Sequence, residues 1–176
     1  MKNNKAVLLF RALALSVFAA AVLLAGCQRK APTTGVGAKA PDFTLTGIDG
    51  KAYTLSSFRG RVVVVDFWAT WCPPCQASIP VFNRIYETFK GQGVVVLGVS
   101  INSSPGSMAK IRQFAKDYKV QYPLLWDNNN VADAYGVQSI PTAFVIDKNG
   151  NISERHLGYS YGEFQEFSSE IEGLLK

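Results

Sequence analysis

The sequence predicts an α/β fold in which a central mixed sheet is flanked by helices on both faces. Two Val-rich runs, RVVVVDFWA (61–69) and VVVLGVSIN (94–102), are almost continuously apolar, as strands buried on both faces are. Amphipathic helical patterns follow both runs, and alternating strands and helices are typical of parallel strand connections. Two further strands flank Asn149-Gly150 and predict an antiparallel hairpin, so we expect the sheet to be mixed.

The first elements of this domain follow from local patterns. Two short alternating runs flank Asp49-Gly50, a dipeptide that favours a tight turn, and they predict an N-terminal β-hairpin. After the first Val-rich strand, a helix is expected from Cys72 to about Lys90. Its apolar residues recur at spacings of three and four: Ile79, Phe82, Ile85, Tyr86 and Phe89. Two nearby glycines then end this helix.

The second half of the domain continues the alternation. After the second Val-rich strand, an inserted helix is expected over about 107–118, and the segment YPLLWD (122–127) is expected to be extended. A short helix ends at Gly136, and the hairpin around Asn149-Gly150 follows. The chain closes with an amphipathic helix whose apolar side holds Phe164, Phe167, Ile171 and Leu174.

Composition places the chain among globular proteins. It has 176 residues, of which 48% are hydrophobic and 18% charged. The net charge of +5 includes three cations in the first 26 residues, a stretch that contains no acid. We find no basic patch interleaved with aromatic residues, so a nucleic-acid partner is not expected. The chain is expected to act as a monomer.

Residues 1–26 resemble a bacterial lipoprotein signal peptide. Two lysines precede ALALSVFAAAVLL (12–24), an apolar run shorter than the roughly 20 residues of a membrane-spanning helix. The following LAGC (24–27) resembles the lipobox of lipoprotein precursors. That resemblance implies cleavage before Cys27, a lipid on the Cys27 sulfur and therefore attachment to a bacterial membrane.

An uncleaved membrane anchor over about 6–25 is the alternative, and Arg11 within that span argues against it. In both interpretations the positive flank stays inside and the domain lies outside the cytoplasm, in the periplasm or at the cell surface. The polar segment 27–40 is interpreted as a flexible tether. The thirteen residues after Cys27 reach at most about 45 Å, so the domain at 41–176 would work near the membrane.

Cys72 and Cys75 are the two cysteines left for the folded domain. Zinc is disfavoured because a zinc site usually needs four ligands, and only His156, expected on a strand surface, could join them. A purely structural disulfide is disfavoured because this one would enclose only two residues. Redox chemistry is the remaining interpretation, with a redox-active disulfide, no resident metal and no other cofactor.

The expected position of the cysteine pair favours thiol chemistry. The pair follows a buried strand and opens a helix, where free N–H groups and the helix dipole stabilise a Cys72 thiolate. Pro73 and Pro74 suit a first helical turn and make the loop rigid. Cys75 lies one turn in, where it can attack a mixed disulfide on Cys72 and release the product.

VVVVDFWATWCPPC (62–75) and GVQSIPTAFVID (136–147) together resemble the thioredoxin superfamily. The upstream APDFTL (40–45) and the inserted helix resemble its membrane-tethered, AhpC/TSA-redoxin-like branch of TlpA-like and ResA-like thiol:disulfide oxidoreductases. The resemblance covers about 40–158. It implies a thioredoxin-like fold over 41–176 and places the two motifs beside each other.

The resemblance also implies a substrate-binding surface. Ile140-Pro141 matches the family's cis-proline, which would face the cysteine pair and leave nearby backbone free to pair with an extended substrate. An ordinary turn proline is the alternative. Trp71 would shield one side of Cys72. We therefore expect substrate to be bound by five residues: Trp71, Pro73, Pro74, Ile140 and Pro141.

Asp66 matches a buried acid of cytoplasmic thioredoxins. Burial would raise its pKa and let it accept the Cys75 proton. The alternative is that the Asp66 side chain points to solvent at the strand end. ResA-like relatives often carry Glu three residues after the second Cys, where this chain has Ser78. Asp66 is then the candidate for accepting the proton of Cys75.

These observations predict an extracytoplasmic thiol:disulfide oxidoreductase. It would reduce disulfides in other exported proteins, with apocytochrome c among the candidates, and take electrons from a membrane donor of the DsbD/CcdA type, as the family implies. A peroxiredoxin-like peroxidase is one alternative, although the PxxxTxxC pattern is missing before Cys72. A copper-delivery module is another, although the close cysteine spacing and single His disfavour it.

Overall fold

A seven-stranded mixed sheet forms the centre of the protein in the computed structural model, which describes residues 34–176. The strands are β1 (Thr44–Gly47), β2 (Ala52–Thr54), β3 (Val63–Trp68), β4 (Val95–Ser100), β5 (Leu124–Trp126), β6 (Thr142–Ile146) and β7 (Ile152–Leu157). The four α-helices are α1 (Pro73–Phe89), α2 (Ser107–Asp117), α3 (Val131–Ala134) and α4 (Glu163–Leu175). The predicted α/β fold, with its N-terminal hairpin and inserted helix, is confirmed.

The strand order is β2-β1-β5-β4-β3-β6-β7. The Val-rich strands β3 and β4 are parallel neighbours, and β5 continues this parallel set. The N-terminal hairpin adds to β5 in antiparallel direction, and β6 runs antiparallel to both β3 and β7. Every residue of β3 and β4 is buried, as expected for strands covered on both faces.

Alternate residues of β3 face two different cores. Val64 and Trp68 pack with α1, α2 and α4, whereas Val65 and Phe67 pack with α3 and the N-terminal hairpin. Because side chains alternate along a strand, Asp66 faces the same side as Val64 and Trp68. The sheet geometry therefore directs this carboxyl group towards α1 and α4.

Helices α1 and α4 begin at the same end of the sheet, the end at which β3 and β7 finish. β3 and β7 run in the same direction, since each is antiparallel to β6 between them. α1 follows the end of β3, and α4 follows the end of β7. Ile140-Pro141 lies at this end of the sheet too, because Thr142, the first residue of β6, pairs with Phe67 near the end of β3. The end of the sheet where β3 and β7 finish thus collects the elements of the site.

Residues 34–40 pack on the domain. Gly37 donates its N–H to the Ile152 carbonyl, and Ile152 donates back to Ala38, both at 2.8 Å. Thr34 donates its hydroxyl to the Tyr135 carbonyl at 3.1 Å. The predicted tether is therefore wrong for 34–40, because the backbone of that segment finds partners on β7.

The predicted signal peptide (1–26), Cys27 and residues 28–33 lie outside the described part of the chain. Over 34–176, no helix is long and apolar enough to cross a membrane.

Candidate active site

The cysteine pair occupies the start of α1. Cys72 and Cys75 are joined by a disulfide, with their Cα atoms 5.2 Å apart. Cys72 is the N-cap residue, and its sulfur accepts a hydrogen bond from the backbone N–H of Cys75 at 3.2 Å. Cys72 is 4% exposed and Cys75 is fully buried. The outer cysteine is therefore slightly more accessible than the inner one.

Pro73 and Pro74 form the exposed first turn of α1. Their missing N–H groups would have no helical partner there, so the helix loses no hydrogen bond. The Sγ atom of Cys72 lies 3.9 Å from the carbonyl oxygen of Ile140.

The peptide bond between Ile140 and Pro141 is cis, and it lies opposite the cysteine pair. Gly158 donates its N–H to the Pro141 carbonyl at 2.8 Å, which ties the loop to the end of β7. Neither backbone group of Ile140 has a backbone partner among residues 34–176. A strand-like substrate segment could therefore pair with Ile140.

A groove of about 400 Å³ opens beside Cys72. Its walls include Trp71, Ile101, Val137 and Ile140, with Asp133 at its α3 side. Trp71 is 64% exposed, whereas Trp68 in β3 is fully buried. Two of the five predicted surface residues, Trp71 and Ile140, therefore line one mainly apolar groove, while Pro73, Pro74 and Pro141 lie outside its walls.

Asn102 holds the loop between β3 and α1, and sequence reasoning missed it. Its side-chain oxygen accepts the backbone N–H of Thr70 at 3.0 Å, and its amide donates to the Thr70 hydroxyl at 2.7 Å. The hydroxyl group of Ser100 donates a hydrogen bond to the same oxygen at 2.8 Å. These bonds fix the chain just before Trp71 and Cys72.

Asp66 is fully buried, and neither of its carboxyl oxygens has a hydrogen-bond partner within the described residues. The alternative of a solvent-facing side chain is wrong. Burial raises the pKa of Asp66 well above its ordinary value, and the charge of Glu163 raises it further. Both effects favour the protonated form of this carboxyl group over the charged form.

Two unpartnered polar groups lie on the same side of the sheet as Asp66: the buried hydroxyl of Tyr122 and the indole N–H of Trp68. Gly98 pairs with Asp66 on the neighbouring strand. A Cβ on Gly98 would lie 3.0 Å from Cε2 of Tyr122 and 3.1 Å from Nε1 of Trp68, so glycine allows this close packing.

Ser78 is fully buried on α1, and its hydroxyl donates to the Cys75 carbonyl at 2.9 Å. This hydrogen bond stays within α1. A serine hydroxyl cannot exchange a proton at neutral pH as a carboxyl group does. The departure from the ResA-like pattern therefore removes a titratable group from α1.

Glu163 is a second buried acid that the sequence reasoning missed. It opens α4 and is 4% exposed. Burial raises the pKa of Glu163 to about 7, while His156 opposes this shift and Glu166 adds to it. His156 itself is partly buried, since its ring stacks on Phe167 at 4.1 Å between centroids. Its Nε2 lies 3.1 Å from Glu170.

Residues 36–155 match the AhpC/TSA family. The chain belongs to that family. Within it, the ResA thiol-disulfide oxidoreductase of Geobacillus kaustophilus is 40% identical over 120 residues, which are 68% of this chain and 67% of that protein. The Bacillus cereus ResA is 33% identical over 180 residues, covering 100% of this chain and 98% of the relative.

Solved structures of thiol:disulfide proteins share this fold. A Chlorobium tepidum protein described as a thiol:disulfide interchange protein of the DsbE type superposes with a TM-score of 0.74 and is 32% identical. The match covers 81% of this chain and 99% of that protein. The exposed lipoprotein thioredoxin Etrx1 of Streptococcus pneumoniae gives a TM-score of 0.64 at 36% identity, over 75% and 99% of the two chains.

These relatives and the cysteine pair confirm that this AhpC/TSA member is a thiol:disulfide oxidoreductase with a thioredoxin-like fold. The ResA-like prediction is confirmed with it. Such an enzyme acts on disulfide-containing partners.

Proposed function

We propose that the protein reduces disulfide bonds in exported proteins outside the cytoplasm, with Cys72 as the attacking residue. One observation carries this proposal: the sulfur of Cys72 lies at the start of α1, beside the groove at Trp71 and beside Ile140, whose backbone has no backbone partner within residues 34–176. An extended substrate paired with Ile140 would bring its own disulfide to that sulfur. Apocytochrome c is one candidate substrate.

The reaction begins with the reduced cysteine pair. The thiolate of Cys72 attacks one sulfur of the substrate disulfide, and the other substrate sulfur leaves as a thiolate that takes a proton from water. This step forms a mixed disulfide between Cys72 and the substrate. The backbone N–H of Cys75, which already contacts the Cys72 sulfur, would stabilise the thiolate form of Cys72.

Cys75 completes the reaction. Its thiol loses a proton towards Asp66, and the resulting thiolate attacks the Sγ atom of Cys72. The bond between Cys72 and the substrate breaks, so the substrate leaves reduced and the Cys72–Cys75 disulfide forms. Asp66 suits this role because it is buried on the side of the sheet that α1 covers.

The enzyme must then be reduced again. In an oxidising compartment the electrons have to come across the membrane, and we propose a membrane donor of the DsbD/CcdA type. A lipid on Cys27 would keep the domain near that donor. The LAGC motif supports this anchor, as does the similarity to a pneumococcal protein described as an exposed lipoprotein.

Replacing Cys27 with Ala is expected to abolish incorporation of labelled palmitate and to release the protein from the membrane fraction, because the lipid is attached through that sulfur. Labelling of cells that express either chain measures this. Cys75→Ala serves as the matched control and should label like the unmodified chain. Equal labelling of Cys27→Ala would contradict the proposed anchor.

The reduction potential of the Cys72–Cys75 couple tests the direction of electron flow. We expect a value near that of thioredoxin, about −270 mV, because a reductant must be more reducing than its substrates. Equilibration of the full chain with glutathione buffers measures the potential. A value near that of the periplasmic oxidase DsbA, about −120 mV, would overturn the reductase proposal.

A further inference from the structure

The groove beside Cys72 is acidic. Its two titratable wall residues are Asp127 and Asp133, and no Lys, Arg or His of the described chain lines it. Five of the 18 basic residues and none of the 13 acidic residues lie before residue 34, so the described domain is neutral in formal charge. The negative charge is therefore a local property of the groove, and a cleft of one charge sign favours ligands of the opposite sign.

Asp127 has a structural role. Its Oδ1 accepts the backbone N–H groups of Asn129 and Val131 at 3.2 and 2.9 Å, and its Oδ2 accepts that of Ala132 at 2.8 Å. These bonds satisfy N–H groups at the start of α3 that have no helical partner. The carboxylate of Asp127 adds negative charge to the groove, but its oxygens are already engaged.

Asp133 lines the same groove without such a role. It is exposed on α3, and none of the ion pairs within residues 34–176 includes it. Arg155 approaches this wall from β7, where its guanidinium group donates to the Gly136 carbonyl at 3.2 Å and lies 5.4 Å from the Phe144 ring centre. Arg155 does not line the groove, so the charge of Asp133 is available to a ligand there.

Trp71 offers the groove a second group that attracts cations. Its side chain is 64% exposed. The Lys and Arg side chains that lie over aromatic rings within residues 34–176 do not cover Trp71; they cover Phe58, Tyr86, Phe144 and Phe164. Trp binds cations better than the other aromatic side chains do. An indole face and a carboxylate without an ion-pair partner thus line one opening.

The remaining walls suit the stem of a long side chain. Ile101, Val137 and Ile140 are apolar, and the volume of about 400 Å³ falls within the range of ligand-binding clefts. Lys and Arg pack their methylene stems on apolar surface while the charged end reaches a polar group. Such a side chain therefore matches both the apolar walls and the carboxylate.

We propose that this groove recognises a Lys or Arg side chain close to the disulfide of a substrate protein, and that Asp133 selects it. The proposal rests on the function proposed above and names its substrate class. Because side chains at alternate positions of an extended segment share one face, the basic residue should lie within about two positions of the cysteine that Cys72 attacks.

Asp133 acts on the encounter with the substrate and leaves the bond exchange unchanged. The Cys72 thiolate displaces one thiolate from the substrate disulfide, and Cys75 then displaces the second as the Cys72–Cys75 bond forms. Charge complementarity at an exposed site raises the association rate and disfavours partners of like charge. The effect should therefore appear in kcat/KM and should depend on the charge of the substrate.

The test uses the full chain with Cys27→Ala, which leaves Cys72 and Cys75 as its two thiols. The probes are short peptides with one cysteine linked by a disulfide to thionitrobenzoate, whose thiolate absorbs visible light on release. Lys or Glu is placed in turn at each of the two positions on either side of that cysteine. Each second-order rate is divided by the rate of the same peptide with dithiothreitol, which corrects for the intrinsic reactivity of the peptide.

We expect the Lys peptide to react at least about fivefold faster than the Glu peptide at the favoured position and low salt. This ratio should approach one as ionic strength rises from about 0.01 M to about 1 M, because the Debye length falls from about 30 Å to about 3 Å. Asp133→Asn should lower the ratio to about twofold, since Asp127 remains, and Asp133→Lys should reverse the preference.

Asp117→Lys is the matched control for Asp133→Lys. It makes the same charge change at an exposed position that ends α2 and lies outside the groove walls, so it should keep the ratio of the unmodified chain. A ratio of two rates does not depend on the fraction of active protein, so partial unfolding of a variant would not produce the expected change.

The same ratio in the unmodified chain and in Asp133→Lys would overturn the role of Asp133, as would equal rates of the Lys and Glu peptides at every position. Both results would leave the cysteine chemistry intact. If Cys72→Ser released thionitrobenzoate as fast as the unmodified chain, the proposed function of Cys72 would be wrong instead.

Discussion

Replacing Cys75 with Ser is expected to give a protein that captures substrates through Cys72 but does not release them. The intramolecular attack of Cys75 is lost, and effective concentrations for such attacks reach about 10⁵ M or more, so turnover should fall by at least about 10³-fold. The covalent adducts are measured by non-reducing electrophoresis and mass spectrometry of the captured partner.

Cys72→Ser is the matched control. It keeps one cysteine of the pair, but the remaining sulfur of Cys75 is fully buried, so no adducts should form. If Cys72→Ser captured partners as efficiently as Cys75→Ser, Cys75 could also act as the attacking cysteine, and the proposed assignment of roles would be wrong. Unchanged turnover in Cys75→Ser would contradict a resolving role altogether.

Replacing Asp66 with Asn is expected to stabilise the protein at neutral and alkaline pH while slowing the resolving step. The folded chain holds the pKa of Asp66 well above its ordinary value of 3.8, so the folded state keeps a proton that the unfolded state loses. Stability therefore falls as pH rises from about 4 towards the folded pKa, by about 1.4 kcal/mol per pH unit for one such group. Asn resembles the protonated acid and has no such loss.

Urea unfolding at a series of pH values measures this difference. Asp66→Asn and the unmodified chain should be equally stable near pH 4 and should diverge as pH rises. A smaller slope should remain in the variant up to about pH 7, because Glu163 has its own raised pKa of about 7. Asp117→Asn, at an exposed position of α2, is the control and should follow the unmodified chain. Parallel curves for Asp66→Asn would contradict the buried-acid description.

The same variant should slow the resolving step by about 10²-fold at pH 7, as expected when a general base is removed. A more stable but slower enzyme would mean that the buried carboxyl group is retained for catalysis at the expense of the stability of the fold. If the kinetics of Asp66→Asn were unchanged, a group other than Asp66 would accept the proton of Cys75.

Much of the fold can be predicted from sequence because its signals are local. The Val-rich runs indicate β3 and β4 directly, and the Asp-Gly and Asn-Gly turns indicate both hairpins. Cys72 and Cys75 form a site within four residues, so their relation does not depend on the rest of the chain.

The remaining site residues depend on contacts between distant segments. Asn102 reaches Thr70 only because Trp68 pairs with Ser100 across two parallel strands. Glu163 looks like an ordinary acid in the first turn of an amphipathic helix, and its burial follows from how α4 packs against α1. The docking of 34–40 was missed because backbone hydrogen bonds leave little trace in the sequence.

That docked segment changes the geometry of catalysis at a membrane. With the proposed lipid on Cys27, only residues 28–33 remain between the anchor and the packed domain, and six residues span at most about 20 Å. The domain would then sample a thin layer above the bilayer, at a much higher effective concentration towards a membrane-embedded donor than a freely diffusing enzyme could reach. Reduction of the enzyme would become in effect an intramolecular encounter, and soluble substrates would have to diffuse to the membrane surface.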